Sequence, residues 1–257
     1  MTSKNKNYGL VVLGATSSIA EAYVRLVAKE RGSNLTLFIV GRNAEALESI
    51  AADVTARGAG NVVTRACDLA AIDDPATLVA AATGELGTID EVLIAYGSLP
   101  DQSKTQTDPA ELEKAFQVNF TSTAIWLQAF ANVMTEQKFG RLAVIGSVAG
   151  DRGRMSNYAY GAAKGGLERF VQGLQHALAA YPNVSATLIK PGFVATPMTA
   201  HIEGRGGPLW ATPERIAADI DKAVKRRKLS VYAPWFWWGV MTIIRSLPAA
   251  ILHKTKL

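Results

Sequence analysis

Residues 8–20 read YGLVVLGATSSIA, and the fold follows from how this stretch is built. Tyr8–Leu13 is an apolar run of strand length, Gly14 permits a tight turn, and Thr16, Ser17 and Ser18 precede Ile19 and Ala20 as the opening of a helix. A near-continuous apolar strand that runs straight into a helix is the start of a β-α-β unit buried on both faces. Strand-length runs recur at Leu35–Val40, Val62–Ala66, Glu91–Ala95, Leu142–Ile145, Ala186–Ile189 and Leu229–Tyr232. Helical patterns lie between them at Ile19–Lys29, Ala44–Ala56, Ala110–Met134, Tyr158–Ala180 and Pro213–Lys225. The alternation predicts an α/β fold: a single Rossmann-like, doubly wound, parallel seven-stranded sheet with helices on both faces. No linker, low-complexity segment or fixed repeat divides the chain. Residues 1–233 are expected to form its body and 234–257 an apolar, Trp-rich, basic C-terminal extension of the same domain.

At 257 residues and 49% hydrophobic content the chain can bury a sizeable core. A single cysteine, Cys67, excludes a disulfide framework, and three scattered histidines give no metal-ligand spacing, so no metal is expected. Met1–Asn7 is polar and lacks the apolar segment of a signal peptide, which points to the cytoplasm. The net charge of +5 is unevenly distributed: residues 222–257 carry eight Lys/Arg and no Asp or Glu, leaving 1–221 at −3. A nucleic-acid-binding domain spreads basic charge over its fold, so nucleic acid is not the expected partner. Charge concentrated at one end favours an acidic partner there, membrane phosphate being the obvious candidate.

In a doubly wound sheet ligands bind beyond the carboxyl ends of the strands. After the first strand, Gly14 allows the turn, and the hydroxyls of Thr16, Ser17 and Ser18 together with the helix N-terminus can receive a phosphate. The same small residues also serve simply to cap a helix. After the second strand, Gly41 stands where an NAD site places an acid for the ribose 2′-hydroxyl, and Arg42 follows, which favours the 2′-phosphate of NADP. The plainer reading of Arg42 is a solvated residue at a helix start. After the third strand, Asp68 can accept from an adenine amino group or cap the next turn.

After the fifth strand comes Ser147, and thirteen residues later Tyr160-Gly161-Ala162-Ala163-Lys164. Tyr160 and Lys164 are four apart and share a helix face. A phenol, with an ordinary pKa of about 10, is a poor acid–base group near neutrality. A neighbouring lysine charge brings it toward the working range. Tyr158 has Ala162 at the matching position, so Tyr160 is the better catalyst. A Tyr–Lys pair also arises by chance as surface packing; the upstream Ser147 and downstream Pro191-Gly192 set this one apart.

With these residues in place, the sequence resembles the short-chain dehydrogenase/reductase family over roughly residues 8–232. The pattern is Asn119, Ser147, Tyr160-x-x-x-Lys164 and Pro191-Gly192-x-x-x-Thr196. The resemblance implies that Ser147 hydrogen-bonds the substrate carbonyl and Tyr160 exchanges the proton while nicotinamide exchanges hydride. It implies that Lys164 holds the nicotinamide ribose and tunes Tyr160, and that Asn119 positions a relay water. It further implies a cofactor site that adds Ile19, Leu69, Gly97, Pro191, Gly192, Val194 and Thr196 to Gly14, Thr16, Ser17, Ser18, Arg42 and Asp68, with NADP(H) favoured over NAD, and a homo-dimer or homo-tetramer. Two departures stand out. The family's glycine-rich turn would have Gly at positions 18 and 20, where a Cβ could narrow the pyrophosphate space, and its Asn-Asn-Ala-Gly after the fourth strand is here Ile94-Ala95-Tyr96-Gly97.

Ala149–Arg154 followed by Asn157-x-x-Tyr160-Gly161, and Pro197–His201, are similar to reductases acting on polyprenylphosphoryl keto-pentoses. That resemblance implies a lipid-linked keto-sugar substrate in cell-wall biosynthesis, a flavin-dependent oxidase partner, and substrate contacts from Arg152, Arg154, Tyr158 and His201. The arginines are also readable as an ordinary solvated loop. Residues 229–257 place Trp235, Trp237 and Trp238 in an apolar run broken by Pro234, Arg245 and Pro248. The run is shorter than the roughly 20 residues of a bilayer span. Tryptophans flanked by Lys225–Lys228 on one side and Arg245, Lys254 and Lys256 on the other suit an anchor lying on the inner face of the membrane. The alternative is a tail packed over the pocket or at a subunit interface. The resemblances together imply an NADPH-dependent ketone reductase of a lipid-linked keto-sugar. Its alternatives are a soluble ketoreductase for steroid-like or 3-oxoacyl substrates and a non-catalytic NADP-binding scaffold.

Overall fold

The computed structural model describes residues 7–71, 74–202 and 204–255; the polar stretch up to Lys6 and the basic Lys256 lie outside them. The chain runs β1 (Tyr8–Leu13), α1 (Ser18–Arg31), β2 (Leu35–Gly41), α2 (Ala44–Ala56), β3 (Asn61–Ala66), α3 (Pro75–Leu86) and β4 (Glu91–Ile94). It continues with α4 (Gln102–Thr107), α5 (Pro109–Phe116), α6 (Ser122–Gln137), β5 (Gly140–Ile145), α7 (Tyr158–Leu178) and β6 (Val184–Pro191). The short β7 (Phe193–Val194) and β8 (Trp210–Ala211), then α8 (Pro213–Lys225), β9 (Ser230–Ala233), α9 (Trp237–Ser246) and α10 (Ala249–Leu252), complete it.

Seven strands form one parallel sheet in the order β3-β2-β1-β4-β5-β6-β9, and β7 pairs with β8 apart from it. This is the expected doubly wound architecture. Strand order reverses between β1 and β4, and the crevice beyond their carboxyl ends is the natural ligand site of such a sheet. Alternate residues of the same strand serve two cores. Leu10 and Val12 pack with α1, α2 and α8, while Val11 and Leu13 pack with α3, α6 and α7. Covering both faces accounts for the unbroken apolar runs of the central strands. β3 departs from that expectation: it lies at the sheet edge, and its residues are exposed or only half-buried.

The helical pattern over 110–134 is also not one helix. α5 ends at Phe116, a π-helical turn spans Gln117–Thr121, and α6 begins at Ser122. Such wide turns commonly serve function by redirecting a side chain. Here the turn carries Asn119, which is fully buried.

The tail beyond β9 is helical and two-faced. Trp237, Met241 and Ile244, spaced for one side of α9, are buried with Val148, and Phe193 and Tyr232 pack against them. The opposite side leaves Trp238 60% and Ile243 67% exposed, with Trp235 at 73% just before it. Among the described residues no helix is long and apolar enough to cross a membrane. The basic run Lys225–Lys228 does not flank this helix as the sequence implied. It precedes β9, at the opposite end of the strand, where Lys225 pairs with Glu30 and Asp221 and Arg227 donates to the Pro182 carbonyl.

Candidate active site

A cavity of about 680 Å³ opens at the carboxyl ends of the strands. At one end Gly14, with φ +86°, turns the chain so closely against the fourth strand's exit that a Cβ there would lie 2.6 Å from the Tyr96 backbone nitrogen. α1 starts immediately beyond, and its N-cap Ser17 spends no side-chain hydrogen bond on capping. Thr16, Ser17, Ser18 and Ile19 line the cavity beside that helix N-terminus, as do Arg42, Asp68, Leu69 and Gly97. These residues fit a dinucleotide: hydroxyls and helix-end N–H groups face the space a pyrophosphate needs. Of the two missing glycines, position 20 does not intrude. The Ala20 methyl is fully buried in the core. Ser18 does line the cavity. Asp68 both lines it and caps the next turn, its Oδ1 accepting from the Ala70 N–H at 3.0 Å.

Ser147 lies just beyond the end of β5, and Tyr160 and Lys164 lie on α7, so the loop between them must approach the helix closely. It does so backbone to backbone: a Cβ on Gly150 would lie 2.8 Å from the Gly165 nitrogen and from the Lys164 carbonyl carbon. Ser147, Tyr160 and Lys164 thereby line the cavity, as do Pro191, Gly192, Val194 and Thr196. Asn119 does not line it but lies directly beneath. Its Oδ1 accepts from the Ser98 N–H at 3.1 Å, and its Nδ2 donates to the Ala115 carbonyl at 3.0 Å.

The electrostatics differ from the simple pairing read in the sequence. Burial pushes the Tyr160 phenol above its ordinary value, and the groups pulling it back are the Ser147 hydroxyl and the Arg154 guanidinium. Lys164 Nζ lies 5.9 Å from the Tyr160 ring centre and donates to the Ile145 carbonyl at 3.0 Å. Burial lowers its pKa to about 8. The charge that pulls the phenol down is Arg154, whose own pKa is lowered by burial against the opposing effects of Asp151 and Tyr160.

The two arginines of the loop 151–154, expected from the sequence to serve one ligand, are separated in the structure. Arg154 lines the cavity. Arg152 is turned to the tail, donating to the carbonyls of Arg245 at 2.9 Å and Leu247 at 3.1 Å, where it caps the negative end of α9. Tyr158 and His201 are exposed and do not line the cavity either. Three features were not legible in the sequence. Asp151 is buried in an ion pair with Lys190, which also pairs with Glu168 at 3.1 Å, and it accepts from Tyr232 Oη at 2.6 Å; this ties the loop to β6 and β9. Gln102 of α4 caps α7, its Oε1 accepting from the Ala159 N–H at 3.1 Å. Trp237 of the tail lines the cavity against Gly192. The one signal for the first was Lys190, a lone cation in an apolar strand that required a buried partner.

A doubly wound sheet with a serine, tyrosine and lysine gathered at its nucleotide-binding crevice defines an oxidoreductase of the dinucleotide-binding type. The short chain dehydrogenase family profile matches residues 9–205, and the chain belongs to that family. An uncharacterized oxidoreductase of Mycobacterium tuberculosis (strain H37Rv) is 34% identical, the match covering 95% of this chain and 96% of that protein. One from Streptomyces coelicolor is 32% identical over 95% of this chain and 94% of its own. Among solved structures, a short chain dehydrogenase/reductase family protein is 27% identical with a TM-score of 0.77, covering 90% of this chain and 97% of that one. An actinorhodin polyketide ketoreductase determined with NADPH shares the fold at 20% identity and a TM-score of 0.78, over 92% and 98% of the two chains.

Proposed function

We propose that this oxidoreductase is an NADPH-dependent ketone reductase whose substrate is a lipid-linked keto-sugar of the polyprenylphosphoryl 2-keto-pentose type. The observation that carries the reading is Tyr160, a half-buried phenol in the cavity wall whose pKa is raised by burial despite the opposing pull of Ser147 and Arg154, so that it keeps its proton. A phenol kept neutral is a proton donor, which suits carbonyl reduction. When bound, the nicotinamide cofactor supplies a hydride to the carbonyl carbon. Tyr160 Oη gives its proton to the carbonyl oxygen, and the Ser147 hydroxyl donates a hydrogen bond to that same oxygen, steadying the negative charge that develops there. Lys164, buried in the cavity lining, would hold the ribose hydroxyls of the bound cofactor with its ammonium, and Asn119 braces Gly97 and Ser98. Gly41 in place of an acid, with Arg42 at the cavity rim, supports NADP(H) over NAD(H). The retained Ser147, Tyr160 and Lys164 favour turnover over a non-catalytic scaffold.

Arg154 in the cavity supports an anionic or oxygen-rich substrate, since its planar donor fork suits phosphate and hydroxyl oxygens. The outer face of the tail, Trp235, Trp238 and Ile243 with Arg245 and Lys254 nearby, supports contact with an anionic membrane surface from which such a substrate would be drawn. We read residues 234–257 as part of the same folding unit. A flavin-dependent oxidase as supplier of the ketone belongs to this reading. A soluble ketoreductase for steroid-like or 3-oxoacyl substrates is favoured by one observation, the apolar wall of Phe193, Met198 and Trp237.

The test is NADPH oxidation by the purified protein with polyprenylphosphoryl keto-pentose, a 3-oxoacyl thioester and a steroid ketone, with the alcohol product identified. Turnover confined to the lipid-linked ketone supports the proposal. Turnover of the others alone selects the second reading, and cofactor binding with no turnover overturns both.

A further inference from the structure

Lys190 is a cation inside an apolar strand, directly before Pro191 and Gly192 at the cavity. Its side chain is 4% exposed. Two carboxylates from different elements meet it: Asp151, 1% exposed, in a close ion pair, and Glu168, whose Oε2 lies at 3.1 Å. Tyr232 of β9 closes the group. Its hydroxyl donates to Asp151 at 2.6 Å, and its ring centre lies 4.7 Å from the ammonium. Burial disfavours the Lys190 charge, but the two carboxylates more than restore it, so the ammonium persists. Such a network is weak evidence of added stability: desolvating the charges offsets their attraction, and apolar residues of similar volume often serve a fold as well. What it supplies is a fixed geometry.

The segments it joins carry the groups of the reaction. Asp151 ends the 3-10 turn Val148–Asp151, and that turn holds Ser147, because the Ala149 N–H donates to Ser147 Oγ at 3.1 Å. Tyr160, Lys164 and Glu168 recur every four residues on α7 and so form one stripe. β6 delivers Pro191 and Gly192. The 3-10 turn lies backbone to backbone on α7, where a Cβ on Gly161 would be 2.9 Å from the Ala149 carbonyl oxygen. That contact allows close approach but has no side chain to fix where along the helix the turn sits. Asp151 and Glu168, gripped by one ammonium, fix it.

We propose that Lys190 is a positioning residue for the reduction: by holding Asp151 and Glu168 together it sets the Ser147 hydroxyl against the Tyr160 phenol beside the Pro191-Gly192 turn. The inference rests on the ketone-reductase reading, in which both groups act on one carbonyl oxygen. Two donors converge on that oxygen only within a narrow range, and a displacement of about 1 Å can cost about a hundredfold in rate. Lys190 does not line the cavity, so its loss should appear in kcat and not in binding.

The experiment uses Lys190→Met and the double variant Lys190→Met/Asp151→Asn, which strands no charge at position 151 and keeps an acceptor for Tyr232. NADPH oxidation is followed with whichever of polyprenylphosphoryl keto-pentose, 3-oxoacyl thioester and steroid ketone the wild type reduces, alongside urea denaturation. Lys190→Met should lose stability, and the double variant should regain much of it. In both, kcat should fall roughly ten- to a hundredfold, with KM for NADPH and ketone within about twofold of wild type. Recovery of kcat together with stability in the double variant, or a loss carried by KM, overturns the proposal. Should neither variant fold, Glu168→Gln, at the more open end of the network, carries the test, and an unchanged kcat in it overturns the proposal. Hydrogen exchange reads the displacement without turnover. Peptides within 147–157 should exchange about tenfold faster in the double variant, and those of β1 and β4 as in the wild type. Unchanged exchange within 147–157 overturns the proposal. Faster local exchange in a protein whose wild type reduces no ketone counts against the ketone-reductase reading alone.

Discussion

Trp237 stands where a side chain at position 192 would stand: a Cβ on Gly192 would lie 1.8 Å from its Cε2 and 1.9 Å from its Nε1. The turn after β6 and the first residue of α9 are thus packed as one surface, and that surface is a wall of the cavity. Gly192→Ala must push the indole away, and overpacking of this kind costs about 1–3 kcal/mol. The expected outcome in urea denaturation is a loss of that size, with Gly192→Ala and Trp237→Ala together costing less than their sum because the second removes the obstacle to the first. Strict additivity would show that the two residues do not meet in solution.

The two faces of α9 predict separable defects. Replacing Trp235, Trp238 and Ile243 by Ser alters only exposed side chains. It should weaken co-sedimentation with anionic vesicles roughly tenfold or more, leaving NADPH oxidation with a water-soluble ketone unchanged. Ending the chain at Ala233 would instead remove Trp237, Met241 and Ile244 from a buried cluster, and should cost stability and turnover together. Equal vesicle partitioning of the wild type and the triple Ser variant would remove the membrane role.

Lys164 and Tyr160 are shifted in ways that fix the alkaline behaviour. Lys164, lowered to about 8, gives up its charge well before an unfolded lysine does, whereas Tyr160 is raised and keeps its proton. Between about pH 8 and the ordinary lysine value of about 10.4 the unfolded chain binds more protons than the folded one, so this group makes stability rise with pH across that window. Below it the buried charge is a constant penalty. For catalysis the sign is opposite: kcat/KM for NADPH should fall above about pH 8 as the free enzyme loses the Lys164 charge. A profile flat to about pH 10 would show that Lys164 stays charged or that its charge is not needed.

Arg42 lies at the cavity rim directly after Gly41. Arg42→Ala should raise the KM for NADPH about tenfold, the loss of one charge-assisted contact, and leave that for NADH within about twofold. Equal effects on both would remove the 2′-phosphate assignment.

The sheet was legible because strands covered on both sides must be apolar at every position, as Val11 and Val12 are while facing opposite cores. The edge strand β3 has one side toward solvent and broke that rule. Ser147, Tyr160 and Lys164 were legible because strand ends and four-residue spacing are local properties. The fate of Arg152 was not. Whether a guanidinium reaches a ligand or a carbonyl 93 residues away is set by how the tail folds back, and no local pattern encodes it. The same holds for Asn119, whose burial depends on a π-helical turn inside what reads as continuous helix, and for Lys225–Lys228, adjacent to the tail in sequence but separated from it by the length of β9.

Tyr160→Phe bears most directly on the central claim, since it deletes the proton donor and little else. Phe keeps the ring and its packing, so NADPH affinity, read by nucleotide fluorescence, should stay within about twofold while NADPH oxidation with a reducible ketone falls by roughly two to four orders of magnitude. Retention of near wild-type turnover by a folded, NADPH-binding Tyr160→Phe enzyme would contradict the assignment of Tyr160 as the acid and, with it, the mechanism proposed for this site.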